Sequence, residues 1–241
     1  MNKIVAIGCG PGNPDLLTVK AVKEIKNADI ILCPASKQSR PSIVLSIITP
    51  IIEELEKRPE IVRLIFPMTK DVDKLHESWK KNADEMAKYA MSGKKVVYVT
   101  VGDPYLYSTW IYMHRELESR YPDVMVDVVP GLVSIFTFTS KVGVSLAEGA
   151  EKFTVVPSCY DLSQVKELAR NSDTMVFLKD GRYFDQVIEI LREVGFSDKS
   201  TMAIGQDLDT KNEFIKKLTL GEATKGMTSN YFSIMVIKRD G

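Results

Sequence analysis

The run Val96–Thr100, which Val101 connects to Gly102-Asp103-Pro104, constrains the fold more than any other stretch of this chain. Successive β-branched and aromatic residues are typical of a strand that is buried on both faces of a parallel sheet. The strand should end there, because Gly102 allows unusual backbone conformations and Pro104 cannot donate a ladder hydrogen bond. A helical pattern over Leu106–Arg120 follows. The tripeptide is therefore predicted at the carboxyl end of a strand, where open α/β sheets bind ligands.

Short apolar runs alternate with helical patterns along the first half of the chain. These runs lie at Ile4–Ile7, Ile30–Leu32, Ile61–Phe66, Val96–Thr100 and Met125–Val129. Strands that alternate with helices predict a doubly wound parallel sheet. A second series of strand-like runs follows, and its last members are too close together for helical crossovers. The sequence thus predicts two α/β domains, residues 1–128 with a five-stranded parallel sheet and residues 129–241 with a mixed sheet.

A glycine-rich loop, Gly8–Pro14, separates the first strand from its helix. Strand, loop and helix resemble a dinucleotide-binding fingerprint, but Pro11 and Pro14 stiffen the loop and delay the helix. The second strand ends in Cys33-Pro34 and offers no acidic residue to hold a ribose. Nicotinamide binding is therefore disfavoured. Cys9, within the loop, is either a reactive thiol near a helix start or a small residue that fills a tight turn.

Charge balance and cysteine usage argue against several classes of function. The chain carries 32 Lys+Arg and 32 Asp+Glu, so no global basic field indicates a nucleic acid or an anionic membrane as partner. No apolar run approaches the ~20 residues of a membrane span, and we expect no signal peptide. Three separated cysteines, Cys9, Cys33 and Cys159, and two histidines, His76 and His114, indicate reduced thiols in a cytoplasm and no metal site.

Three of these landmarks occur in an order that resembles a known family. Gly8–Pro14, Gly102-Asp103-Pro104 and Val129-Pro130-Gly131 resemble the loops of the tetrapyrrole methylases, which are class III, two-domain α/β enzymes. That family holds S-adenosyl-L-methionine in the cleft between its domains. Finer landmarks are similar to the precorrin-2 C20-methyltransferase branch of cobalamin synthesis, and they are Pro34–Lys37, Phe66–Thr69, Trp79, Gly102–Trp110 and Leu146–Gly149. The chain looks closer to the anaerobic form of that branch, which uses the cobalt complex.

The resemblance implies a methyl transfer in which the chain supplies alignment. An electron-rich meso carbon of the tetrapyrrole substrate attacks the sulfonium methyl in line, and no nucleophilic side chain is needed. A proton then leaves the attacked carbon, and Asp103, Tyr107 and a water remain open as its acceptor. Cobalt would enter only as part of the substrate. The resemblance also implies a homodimer.

The resemblance assigns the cofactor contacts residue by residue. They are Pro11, Val101, Gly102, Asp103, Leu106, Val133, Ser134, Leu178 and Lys179, with a last contact around Ile204–Asp207. Relatives outside the branch often carry Met where this chain has Lys179, so that lysine is open as a contact to adenosine or to a substrate carboxylate. The substrate carries several carboxylates, and cations are therefore expected around it. The candidates are Lys37, Arg40, Lys141, Lys179 and Arg182.

Three alternative functions remain open at this point. The first keeps the fold and changes the substrate to another tetrapyrrole, a diphthamide intermediate or RNA, although the charge balance does not favour RNA. The second is a nicotinamide-dependent oxidoreductase, which the glycine loop disfavours. The third is a non-catalytic module that binds S-adenosyl-L-methionine.

Overall fold

The computed structural model describes residues 2–36, 42–159, 161–179, 181–209, 212–225, 227 and 233–240. The chain divides into two compact units, Met1–Val133 and Ser134–Gly241. The division lies slightly further along the chain than residue 128, because the loop after the fifth strand packs against the first sheet through Gly131. Among the described residues, no helix is long and apolar enough to cross a membrane.

The described part of the first unit is a parallel sheet with helices on both faces. Its strands are β1 (Lys3–Gly8), β2 (Ile30–Ala35), β3 (Glu60–Ile65), β4 (Val96–Thr100) and β5 (Met125–Val129). Its helices are α1 (Val19–Lys26), α2 (Ile43–Glu53), α3 (Val72–Ala90) and α4 (Trp110–Arg120). The strands lie in the order β3-β2-β4-β1-β5, and every pairing is parallel. The predicted five-stranded parallel sheet is confirmed.

Alternating side chains of β1 build the two apolar layers of this unit. Ile4 and Ala6 pack with residues of α3 and α4, whereas Val5 and Ile7 pack with residues of α1 and α2. This division follows from strand geometry, because successive side chains point to opposite faces. The two layers fix β1 in the middle of the sheet.

The helix after β4 begins at Trp110 rather than at Leu106, so the predicted start was wrong. Asp103 Oδ1 accepts the Tyr105 N–H at 2.8 Å, and Ser108 Oγ accepts the Trp110 N–H at 3.2 Å. Tyr107 adopts a left-handed conformation, with φ of 53°. Such side-chain bonds compete with helical bonds. The segment 103–109 is therefore a loop, which presents side chains that a helix would have placed differently.

The described part of the second unit carries a mixed sheet, as predicted. Its strands are β6 (Phe153–Val156), β7 (Thr174–Leu178), β8 (Thr201–Gln206), β9 (Phe214–Thr219) and β10 (Ser233–Lys238). Its helices are α5 (Ser134–Val142), α6 (Leu162–Arg170) and α7 (Phe184–Glu193). The order is β6-β7-β10-β8-β9, and the β6–β7 pair is parallel while the other pairs are antiparallel.

Candidate functional site

The order of strands in the first unit brings the three motif loops to one edge. β1 pairs in parallel with β4 on one side and with β5 on the other. Their carboxyl ends are therefore neighbours, and the segments 8–14, 101–107 and 130–133 leave the sheet side by side. We call these segments the first-unit loops.

Three glycines allow the first-unit loops to approach one another closely. A Cβ atom on Gly8 would lie 2.6 Å from the Gly102 oxygen and 2.6 Å from the Gly131 nitrogen. A Cβ atom on Gly131 would overlap the same Gly102 oxygen. Gly10 and Gly102 also form a pair of backbone hydrogen bonds, with N···O distances of 3.3 and 2.8 Å. Any side chain at Gly8 or Gly131 would separate the loops.

Gly102 differs from the other two glycines of this contact because it borders open space. Its φ is 69°, a conformation that favours glycine, and nothing lies within 4 Å of the place where a Cβ would stand. A ligand can therefore reach the backbone at this position without meeting a side chain.

The carboxylate of Asp103 ties two of the first-unit loops together. Its Oδ1 accepts the Tyr105 N–H at 2.8 Å, and its Oδ2 accepts the Gly131 N–H at 3.1 Å. Bonds from backbone N–H groups to a charged carboxylate are among the stronger hydrogen bonds in proteins. The geometry is that of a positioning residue, and the role of Asp103 as proton acceptor stays a prediction.

Large apolar and aromatic side chains are exposed around the first-unit loops. Their exposed fractions are 40% for Val101, 49% for Tyr105, 38% for Leu106, 47% for Tyr107 and 41% for Leu132. Clustered exposed apolar residues commonly mark a binding surface. Together with the bare backbone at Gly102, this rim suits a flat apolar ligand that carries a few polar groups. Pro11, predicted to contact the cofactor, lies half-buried in the glycine loop.

A tyrosine–histidine pair lies beside these loops, and sequence reasoning missed it. The hydroxyl of Tyr105 lies 2.7 Å from His114 Nδ1. The His114 ring stacks on the ring of Trp110, with centroids 5.7 Å apart and planes 12° from parallel. The only signal in the sequence was the spacing of Trp110 and His114, which places both on one face of a helix.

The thiol of Cys9 is buried in the turn after β1. Burial raises its pKa to about 12, although the backbone hydrogen bond to Thr100 acts in the opposite direction. A thiol with so high a pKa is not a nucleophile near neutral pH. Of the two interpretations of Cys9, the structure favours the small residue that fills a turn.

The predicted contacts in and next to the second unit lie at element ends. Val133 closes the first unit and Ser134 begins α5. Leu178 is the buried last residue of β7, and the exposed Lys179 after it has a left-handed φ of 66°. The guanidinium carbon of Arg182 lies 5.8 Å from the centre of the Tyr183 ring. Lys37 and Arg40 lie outside the residues that the structure describes.

The segment around Ile204–Asp207 forms the end of β8 and the start of its loop. Ile204 is fully buried, and Asp207 has a left-handed φ of 48°. A Cβ on Gly205 would lie 2.6 Å from the Phe138 ring, so α5 packs directly on this strand. None of these observations tests the predicted contact, which stays a prediction.

Lys141 forms an ion cluster with two carboxylates of the second unit. Its Nζ lies 2.6 Å from Asp209 Oδ1 and 2.7 Å from Glu213 Oε2, which also accepts the Asp209 N–H at 2.7 Å. Burial lowers the pKa of Lys141, but the hydrogen bonds to both carboxylates outweigh burial and raise the pKa above its usual value. A substrate carboxylate would have to replace one of these partners.

No metal centre is evident in the part of the chain that the structure describes. Within those residues, no group of three or more His, Cys, Asp or Glu side chains could hold a metal ion.

The chain resembles known proteins over nearly its whole length. A family model described as Tetrapyrrole (Corrin/Porphyrin) Methylases matches residues 3–224. A protein of Methanocaldococcus jannaschii named probable cobalt-precorrin-2 C(20)-methyltransferase is 28% identical over 239 residues, which cover 99% of this chain and 97% of that protein. A precorrin-2 C(20)-methyltransferase of a Sinorhizobium species is 26% identical over 210 residues, with 83% and 82% covered.

A solved structure shares the fold. Uroporphyrin-III C-methyl transferase from Thermus thermophilus, complexed with S-adenosyl homocysteine, superposes with a TM-score of 0.67 at 19% identity. The match covers 98% of this chain and 97% of that protein.

Proposed function

The chain belongs to the tetrapyrrole methylase family, and we propose that it methylates the C20 meso carbon of precorrin-2, using S-adenosyl-L-methionine. The preferred substrate in this proposal is cobalt-precorrin-2 of the anaerobic route to cobalamin. The names of the Methanocaldococcus and Sinorhizobium relatives support the substrate and the position of methylation. The complex of the Thermus protein with S-adenosyl homocysteine supports the cofactor.

The open backbone at Gly102, within the three-glycine contact, carries the proposal. It provides what a cofactor site needs, which is a rigid loop whose backbone a ligand can approach. In the first unit the cofactor contacts are Pro11, Val101, Gly102, Asp103, Leu106 and Val133, and in the second they are Ser134, Leu178 and Lys179. The bound cofactor supplies an electrophilic methyl group. The chain aligns the two reactants and excludes water, which replaces much of the entropy cost of bringing them together.

The apolar rim and the cations divide the recognition of the substrate between them. Val101, Leu106 and Leu132 offer apolar surface to a macrocycle, and the cations are assigned to its carboxylates. These cations are Lys141, Lys179 and Arg182, together with Lys37 and Arg40 from outside the described residues. We further propose that the protein is a cytoplasmic homodimer. Cys9 and Cys33 are free and buried, and Cys159 is buried as well, which agrees with a reducing compartment.

A second candidate keeps the chemistry and changes the tetrapyrrole. The Thermus protein shares the fold, and it is named for a different tetrapyrrole, uroporphyrin-III. The same fold thus occurs with more than one macrocycle, and substrate choice must depend on side chains around the site. In this candidate the chain methylates uroporphyrinogen or a later precorrin.

The test is methylation by the purified protein under anaerobic conditions. Precorrin-2, with and without inserted cobalt, is incubated with the cofactor carrying a labelled methyl group. Mass spectrometry counts the added methyl groups and NMR locates them. One methyl at C20 is the expected result, with faster turnover of the cobalt form. A wild-type protein that binds S-adenosyl homocysteine but methylates neither form would contradict the substrate proposal.

A matched pair of glycine variants tests the cofactor site separately. Gly102 and Gly93 both have positive φ, 69° and 76°, and both have open space where a Cβ would stand. Gly102→Ala and Gly93→Ala therefore carry similar folding costs, whereas only the first places a methyl group in the ligand's approach. Calorimetry should show weaker binding of S-adenosyl homocysteine to Gly102→Ala alone. Equal affinities in the two variants would remove Gly102 from the cofactor site.

A further inference from the structure

We infer that Tyr105 and His114 form a proton relay, which accepts the proton that leaves the methylated carbon. The inference rests on the proposed function, because it concerns the second half of that reaction. Tyr105 accepts the substrate proton, and His114 accepts the hydroxyl proton that Tyr105 gives up. The sequence left Asp103, Tyr107 and water open for this task.

The geometry provides both a bond and a fixed base. Tyr105 Oη and His114 Nδ1 are 2.7 Å apart, which is a short hydrogen bond between a hydroxyl and an imidazole. The imidazole is held by its stacking on Trp110, whose side chain is fully buried. Tyr105 itself is 49% exposed, on the loop where the cofactor is proposed to bind. A ligand can therefore reach the hydroxyl while the base stays in place behind it.

The other candidates of this loop lack such a partner. Both carboxylate oxygens of Asp103 already accept backbone N–H groups, at 2.8 and 3.1 Å. The hydroxyl of Tyr107 has no hydrogen-bond acceptor within the described parts of the chain that would receive its proton. A neutral tyrosine can take up a proton only as it gives up its own. Of the two tyrosines, Tyr105 has a base, His114, positioned to receive its hydroxyl proton.

The step balances in atoms and charge. The C–H bond at the methylated carbon breaks, and its electron pair restores conjugation in the macrocycle, which was left cationic by the methyl group. The proton passes to Tyr105 Oη as the hydroxyl proton of Tyr105 passes to His114 Nδ1. The ring of the tetrapyrrole thereby loses the positive charge that it gained with the methyl group, and that charge now lies on an imidazolium, which later returns its proton to water. His114 must begin neutral, with its proton on Nε2 and Nδ1 free to accept.

The side chain of His114 faces groups from a loop and from its own helix. From the loop it faces Tyr105, whose N–H is bonded to the Asp103 carboxylate, and on α4 it faces Trp110. Several titratable groups of α3 and α4 have other partners: Arg120 pairs with Asp84 and Glu116, Tyr121 donates to Asp84, and His76 and Tyr112 pack on Trp79. None of these pairings involves His114. The hydrogen bond to Tyr105 is therefore the path by which a proton reaches His114 in the relay.

Substitution of His114 by asparagine separates a relay from a purely positioning bond. In His114→Asn the amide oxygen can still accept the Tyr105 hydroxyl, but it cannot retain a proton. We expect kcat to fall by about 10²-fold, the typical loss of general base catalysis, with unchanged affinity for S-adenosyl homocysteine. Tyr105→Phe should show the same loss. The control is Tyr121→Phe, whose hydroxyl donates at the same distance, 2.7 Å, to Asp84 and should leave kcat unchanged.

Two further measurements respond to proton transfer and not to positioning. Nitrogen NMR of labelled histidine in the unliganded protein should show that the neutral imidazole of His114 carries its proton on Nε2 and none on Nδ1. Deuterium at C20 of the substrate should slow His114→Asn more than the wild type, because proton removal becomes the slowest step.

The outcomes distinguish failure of the relay from failure of the proposed function. The relay would be overturned if His114→Asn kept the wild-type kcat, or if the neutral imidazole of His114 carried its proton on Nδ1. Neither result would affect methylation by the wild type. A wild type that methylates no tetrapyrrole would overturn the proposed function, and the relay with it. That result is seen before any substitution is made.

Discussion

The two sheets end in loops that are held by different forces. In the first unit, Gly8, Gly102 and Gly131 bring three backbone segments into direct contact, and Asp103 bonds to backbone N–H groups. In the second unit, Lys141 joins α5 to the loop between β8 and β9 through ion pairs with Asp209 and Glu213. The first set of loops is held by close packing and by hydrogen bonds from backbone N–H groups, and the second is held by ion pairs.

The difference predicts different sensitivities. Close packing tolerates no added atom, but it does not depend on pH or salt. An ion cluster tolerates changes of shape, but its strength depends on protonation and ionic strength. The cofactor contacts of the first unit are proposed on the first-unit loops, and a rigid backbone suits a ligand that must be aligned. The ion pairs of Lys141 can exchange partners, which suits recognition of a substrate carboxylate.

The largest expected effect is that of Gly131→Ala. The added methyl group overlaps the Gly102 carbonyl, and we expect the first unit to lose about 3 kcal/mol of stability, the upper end of overpacking costs. The matched control is Gly149→Ala in the second unit, where the space is open and only a positive φ of 56° opposes the change. That variant should lose about 1 kcal/mol.

The measurement for these two variants is urea denaturation. Both tryptophans of the chain, Trp79 and Trp110, lie in the first unit, so their fluorescence follows that unit. Far-UV circular dichroism follows both units. Equal losses in the two variants would mean that the three-glycine contact is not as tight as the structure shows.

The second effect concerns the two backbone hydrogen bonds that the Asp103 carboxylate accepts. In Asp103→Asn one carboxylate oxygen becomes an NH₂ group, which cannot accept an N–H, so either Tyr105 or Gly131 loses its acceptor. We expect the Kd of S-adenosyl homocysteine to rise about tenfold, the cost of one hydrogen bond to a charged group. Calorimetry measures this Kd. An unchanged Kd with a large fall in kcat would instead make Asp103 the proton acceptor.

The third effect is that of Glu213→Gln, which tests the ion cluster of Lys141, Asp209 and Glu213. The pKa of Glu213 is lowered by the hydrogen bond from the Asp209 N–H and then by Lys141. Its stabilising effect is therefore present above its unfolded pKa of about 4.5. The effect is lost as pH falls through the lower pKa of the folded state. We expect the variant to lose up to about 1 kcal/mol at pH 7 and nothing near pH 2. A difference that does not change between these pH values would show that charge does not hold the loop.

The smallest effect compares one strained residue in a loop of each unit. Tyr107 and Lys179 both have left-handed backbones, with φ of 53° and 66°. Glycine adopts that conformation without steric strain. Tyr107→Gly and Lys179→Gly should therefore each stabilise their unit by up to about 1 kcal/mol. Thermal denaturation measures the gain. A loss of stability in either variant would mean that the side chain makes contacts worth more than the strain.

Part of the site was predictable because it depends on local sequence. The glycine loop and Gly102-Asp103-Pro104 break their strands whatever surrounds them, and the predicted strand Val96–Thr100 is confirmed as β4. The start of α4 was wrong, because side-chain bonds from Asp103 and Ser108 replaced helical bonds. Local propensity alone does not reveal such competition.

The sequence by itself determined the two α/β units, the strands and the residues at their ends, since hydrophobic periodicity and chain-breaking residues act locally. Only the tertiary structure decided that β1 lies between β4 and β5, that Gly131 meets Gly102, and that Tyr105 reaches His114. It also decided that Lys141 is already paired with Asp209 and Glu213. These contacts join residues distant along the chain, and strand order and side-chain packing select them once the layers of the fold assemble.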